Sequence, residues 1–174
     1  MKLQYHLKIL ATGIIQLLIT TIGLIIVPIA LLFTGALKNS LPKWAWFWGN
    51  DEDGLQSPSL DKDEHFTTPG SYLDRLYWLA IRNPACNFSS YIGYSQSDVI
   101  SIDVLREGEM DKSSMTSIVH TKDGKSYPFI YIARPLFNGY WLYFKYGWKN
   151  WVISNTNVKI IQFALYPQIR KQLN

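Results

Sequence analysis

The residues from Ile9 to Leu37 carry no charge at all, and Lys8 and Lys38 close the stretch at its ends. A bilayer core is roughly 30 Å thick and needs about 20 apolar residues to cross as a helix. The run is therefore long enough to span once and too short to span twice. It is about twice the upper length of a signal-peptide core, roughly 7–15 residues, and no small-x-small cleavage site follows it. An uncleaved transmembrane anchor over residues 1–40 is the direct expectation. Pro28 removes a backbone donor inside the run and predicts a kink near Leu24–Val27.

The anchor is not uniformly apolar. At about 100° per residue, Thr12, Gln16, Thr20 and Gly23 fall within about 80° of one another. Helices in lipid associate through small residues and interhelical hydrogen bonds, so this stripe is a candidate helix-association surface and makes a homo-oligomer a candidate assembly. Back-bonding of Thr hydroxyls to the preceding turn is the competing explanation.

Past the anchor, Trp44, Trp46, Phe47 and Trp48 follow Pro42 and Lys43. Three tryptophans at spacing two beside a lysine suit the headgroup level of a membrane. Residues 41–70 then read as an aromatic interface segment and an acidic linker. Residues 51–64 hold six acids and one lysine. Asp51-x-Asp53-Gly54 imitates part of an EF-hand loop, but the twelfth position would be Leu60, where a bidentate Glu is required. A looser calcium site would have to draw on Asp51, Asp53, Asp61 or Asp63; a solvated acidic loop explains the same residues.

Residues 71–174 read as a small α+β domain of one helix and an antiparallel sheet of about five strands. Ser71 with Asp74 has the form of a capping box, opening a helix over 72–81 that Pro84 ends. On that helix Arg75, Trp78 and Arg82 share a stripe with Asp74 and are candidate lipid or partner contacts. Alternation over Val99–Leu105, and Asp123-Gly124 between two β-rich runs, predict strands and a hairpin. Pro128 predicts an edge or a bulge there. Further strands are expected over Tyr140–Tyr146 and Val158–Tyr166, the last terminated by Pro167.

The sequence holds no recognisable catalytic chemistry. His6, His65 and His120 are far apart and lack metal-ligand neighbours. Cys86 with His120 is a conceivable nucleophile–base pair, but a small buried Cys explains the residue more simply. No P-loop, Gly-x-Ser-x-Gly or Cys-x-x-Cys pattern is present. No cofactor is expected. The single cysteine rules out an internal disulfide. From residue 65 onward twelve basic residues face seven acids, a balance that favours anionic headgroups. No basic run or reader motif points to nucleic acid.

Three patches carry a resemblance: Trp46-Phe47-Trp48-Gly49-Asn50-Asp51-Glu52-Asp53-Gly54, Trp78-Leu79-Ala80-Ile81-Arg82-Asn83-Pro84-Ala85, and Tyr146-Gly147-Trp148-Lys149. In this order, after an apolar N-terminal segment, the chain resembles small uncharacterised proteins encoded by tailed bacteriophages. The resemblance implies action at the host envelope or in the particle, and it carries no activity. The resulting expectation is a non-enzymatic, single-pass protein of the host inner membrane. Its basic domain would meet a lipid or an unidentified host or phage protein, with a slight lean toward the cytoplasmic face. The alternatives are a virion or ejection component whose helix is buried in a multimer, and a membrane-bound Cys/His enzyme.

Overall fold

A computed structural model of the chain describes residues 1–35, 40–51, 71–108, 113–149 and 160–171. The apolar run forms one helix, α1 (Leu3–Leu32), which continues past Pro28. It is long and apolar enough to cross a membrane. The chain folds as two compact units, Met1–Gly13 with Ser90–Asn174, and Ile14–Ser89. The cut falls inside α1 because its first turns pack on the sheet while its later turns pack on the segment up to Ser89.

The first unit is built on an antiparallel sheet. β1 (Tyr94–Ser95) pairs with β6 (Ile160–Ile161). The main sheet has the order β2 (Val99–Arg106), β3 (Met115–Thr121), β4 (Ser126–Pro135), β5 (Tyr140–Trp148), β7 (Phe163–Lys171). Five strands and the Asp-Gly hairpin are as the alternation predicts. Gly124, at φ +76°, supplies the left-handed residue that closes the β3–β4 turn. Asp123 accepts hydrogen bonds from Lys125 and Thr121, which hold its carboxyl down to about 2. Asn138 and Gly139 both have positive φ, and Tyr140 N–H donates to the Phe137 carbonyl at 2.9 Å. That is the two-residue hairpin turn whose twist matches the flanking strands.

Two prolines depart from expectation. Pro128 lies in β4, a central strand, opposite Ile118 and fully buried. The irregularity sits instead in the neighbouring strand, where Gly147 takes φ +111° against the Pro128 carbonyl. Pro167 does not end β7, which continues to Lys171. Among the described residues β7 is an edge strand paired with β5 alone, and an edge tolerates a residue that cannot donate.

One core of this unit gathers Ile9, Tyr94, Val119, Tyr127, Trp148, Ile161 and Phe163. Trp148 Nε1 donates to the Ile92 carbonyl at 2.7 Å. The ammonium of Lys8 sits 4.6 Å from the Tyr127 ring centre and 4.9 Å from that of Trp148, and donates to the Ser126 carbonyl. The lysine that marks the start of the apolar run thus pins the first turns of α1 to the sheet through cation–π contact.

The Tyr94 hydroxyl is buried without a hydrogen-bond partner among the described residues. Desolvation, and then the neighbouring Tyr127, push its pKa upward. With the folded value above the unfolded one, this group's contribution is complete below about pH 10 and declines as pH rises past it. Tyr94→Phe removes an unpaired buried polar group. It is expected to leave neutral-pH stability unchanged or raised by up to about 1 kcal/mol, and to flatten the fall in melting temperature above pH 10. A melting temperature several degrees lower at pH 7 would show that the hydroxyl has a stabilising role.

The second unit pairs the rest of α1 with a 3-10 segment (Lys43–Trp48), α2 (Tyr72–Leu76) and the residues leading into α3 (Cys86–Tyr91). The capping box at Ser71 and Asp74 is present with both bonds made. α2 does not continue as an ordinary helix to residue 81. Tyr77–Arg82 forms a π-helical turn, and Asn83 N–H reaches the Trp78 carbonyl five residues back. The wider turn lets Trp78, Leu79 and Ala80 all face inward, where they meet Val27, Ala30, Leu31, Leu41 and Ala45.

Candidate functional site

The residues singled out from sequence occupy four different situations. On α1, Gly23 is buried and Thr12, Gln16 and Thr20 are half-buried. Gln16 Nε2 donates to Ser89 Oγ at 2.9 Å. At Gly23 an added Cβ would come within 2.5 Å of Trp48 Cδ1. The glycine makes the notch that receives this indole, whose Nε1 donates to the Ile19 carbonyl at 2.7 Å. The stripe read as a helix-association surface is therefore covered, at Gln16 and Gly23, by its own chain. Thr21 and Thr34 bond back to the carbonyls of Leu17 and Ala30.

The aromatic collar divides. Trp44, Trp46 and Phe47 are exposed, and Trp44 meets the exposed Phe33 edge-on at 6.4 Å. Trp48 faces inward against α1 and leaves the collar. Asn87, which sequence reasoning passed over, fastens this segment. Its Nδ2 donates to the Trp46 carbonyl, its Oδ1 accepts from Asp51 N–H, and its own N–H donates to the Gly49 carbonyl, each at 2.9–3.0 Å. Only its place in space identifies it, because these partners lie about forty residues away. Asp51 is described, and its carboxylate accepts Trp46 Nε1. Asp53, Asp61 and Asp63 lie outside the described residues.

On α2 and its π turn the expected polar stripe is split. Arg75 and Trp78 are 5% and 9% exposed, which removes them from the accessible surface and corrects their reading as contact residues. Burial lowers the Arg75 pKa. Arg82 remains exposed. Outward point Leu73, Tyr77 and Ile81.

The largest surface feature is the other side of α1 in the second unit. Gln16, Ile19, Thr20, Gly23, Ile26, Val27, Ala30 and Leu31 are buried or half-buried and fill a sector of about 140°. Ile14, Ile15, Leu17, Leu18, Ile22, Leu24, Ile25, Ile29 and Leu32 are exposed and fall in the remainder. This uncovered side carries no charge and one hydroxyl residue, Thr21, which satisfies itself along the helix. Monomeric soluble proteins rarely leave so continuous an apolar surface open.

A polar cluster elsewhere invites a catalytic reading. His120 places Nδ1 3.0 Å from Ser126 Oγ and Nε2 3.1 Å from Asp103 Oδ2. The ring is turned opposite to a nucleophilic triad, in which Nε2 faces the serine and Nδ1 a buried acid, and the Asp103 side chain is 58% exposed. Cross-strand register brings the three together, since His120 pairs with Ser126 on one side and Ser101 on the other. The cluster reads as a clasp on β2. His120 belongs to the first unit, and Cys86 is buried in the second. Among the described residues no group of three His, Cys, Asp or Glu could hold a metal ion.

Comparison with known proteins adds one finding. No curated protein and no solved structure matches the chain. A family model does, over residues 1–172, so nearly every element described above lies within the matched span. The chain belongs to the family of unknown function DUF7338.

Proposed function

We propose that this protein is a non-enzymatic membrane-surface protein. It embeds the uncovered half of α1 in one leaflet and holds its basic sheet unit at the bilayer for a lipid or protein partner. The observation that carries this reading is the division of α1 into a side covered by the chain and a side of open Ile and Leu. Nine such exposed side chains lie between Ile14 and Leu32. At about 1 kcal/mol each for partial insertion they offer on the order of 10 kcal/mol before the cost of immobilisation.

Lying in the plane accounts for the helix better than crossing does. The elements covering α1 in the second unit include a 3-10 segment, a π turn and the buried polar residues Asn50, Arg75 and Asn87. Irregular backbone and ionisable groups are not accommodated against hydrocarbon, so carrying this unit into the bilayer core would cost more than the helix gains. The phage-encoded role at the host envelope implied by the resemblance belongs to the same proposal, with the host inner membrane as the surface concerned.

Topology tests it. Lys2→Cys and Ser40→Cys are introduced together into the full chain on a Cys86→Ser background and reconstituted in sealed phospholipid vesicles. A membrane-impermeant maleimide then reports which ends of α1 share a side. Molecules carrying two labels or none support a helix lying on one leaflet. Molecules carrying one label each mean that α1 spans. A chain that fails to float with vesicles overturns membrane binding itself.

A further inference from the structure

The second helical segment of the same unit leaves an apolar stripe uncovered. Over Tyr72–Arg82 the arginine and tryptophan that would ordinarily edge the surface are inward, whereas Leu73, Tyr77 and Ile81 are 70%, 51% and 60% exposed. Their spacing of i, i+4, i+8 puts Leu73 and Tyr77 on adjacent turns of one face, and the π turn keeps Ile81 outward while three consecutive residues face the core. The inward side keeps Trp78, Leu79 and Ala80 in the core, and the outward side still leaves three large apolar side chains open to water.

The open stripe adjoins the open side of α1. Tyr72, itself exposed, donates its hydroxyl to the Pro28 carbonyl at 3.1 Å, beside exposed Ile29 and Leu32. Val27, Ala30 and Leu31 pack from one helix against Trp78, Leu79 and Ala80 of the other. The two helices are thus neighbours along their covered sides, and their uncovered apolar residues meet at Tyr72. Tyrosines here suit the boundary between headgroups and chains, and exposed Arg82 closes the stripe with a cation that matches lipid phosphate.

We infer that Leu73, Tyr77 and Ile81 form a second membrane-embedded stripe, so that the protein docks on a phospholipid bilayer through two helices. This rests on the reading of α1 as an embedded helix. Two contact lines also fix the roll of the unit about the α1 axis, which one helix alone leaves open, and so determine which side of the unit faces the cytosol or periplasm.

Environment-sensitive labelling tests the inference apart from its premise. Single cysteines at Leu73, Ile81, Ile25 and, as a solvent control, Asp103 are made in the full chain with Cys86→Ser and labelled with nitrobenzoxadiazole. Variants melting with the parent are mixed with phosphatidylcholine–phosphatidylglycerol vesicles. The expected result is a several-fold rise and a blue shift at 73 and 81, matching 25, with no change at 103. A response at 25 alone overturns the second stripe and leaves the α1 reading standing. No response at any position overturns both. A rise at 73 and 81 that follows protein concentration without vesicles assigns the stripe to a second copy of the chain and overturns the lipid assignment.

Discussion

Replacing Leu18 and Ile25 together by aspartate is expected to weaken vesicle binding of the full chain by about 100-fold, with its melting temperature held to within a few degrees. Both side chains lie near the middle of the uncovered sector of α1 and are more than half exposed. They therefore contribute little to folding and much to insertion. Each loses roughly 1 kcal/mol of apolar transfer on partial insertion, and a factor of ten corresponds to about 1.4 kcal/mol. The charges add a further penalty at the acyl boundary. Ile100→Asp is the control, since it removes a comparably exposed apolar side chain from β2 in the other unit. Flotation with lipid vesicles reads the result. Equal losses for the double substitution and the control would mean that binding follows bulk charge, and the assignment to α1 would fail.

Gly147→Ala is expected to be the most disruptive single substitution in the sheet unit. A Cβ at this position would lie 2.2 Å from the Pro128 carbonyl oxygen and 3.3 Å from Ile9 Cδ1. The first contact is with backbone of a central strand and cannot be relieved by a rotamer change. The φ of +111° adds strain of about 1–3 kcal/mol for any side-chain-bearing residue. A combined loss of roughly 4 kcal/mol approaches the total stability of a small domain and would lower the melting temperature by about 15–30 °C. Gly124→Ala separates the two causes. Gly124 has φ +76° but nothing within 4 Å of an added Cβ, so the backbone term stands alone there and costs about 1–2 kcal/mol. Similar melting temperatures for the two variants would show that the strand is able to move aside at Gly147.

Much of this architecture is legible along the chain because it depends on short-range chemistry. The uncharged run becomes α1. Ser71 and Asp74 cap a helix because the two side chains satisfy each other's backbone donors three residues apart. Asp123-Gly124 closes a hairpin because Gly124 accepts left-handed backbone at low cost. Each of these outcomes is settled within a few residues, and each is found where the pattern places it.

What the tertiary structure decided is which side of each element meets which neighbour. Sequence spacing groups Thr12, Gln16, Thr20 and Gly23 on one face, but not that Trp48 fills the notch at Gly23 or that Gln16 meets Ser89. Periodicity groups Arg75 and Trp78 on one face, and packing of Trp78 with Val27 and Ala30 puts that face inside. Pro167 reads as a terminator until β7 is seen at an edge, where its missing donor has no partner to lose. The run from Ile9 to Leu37 by itself determined that this protein carries a long apolar helix. Only the packing of the chain along one side of that helix decided which half stays open, because hydrophobicity records the need for cover and tertiary contact determines where the cover falls.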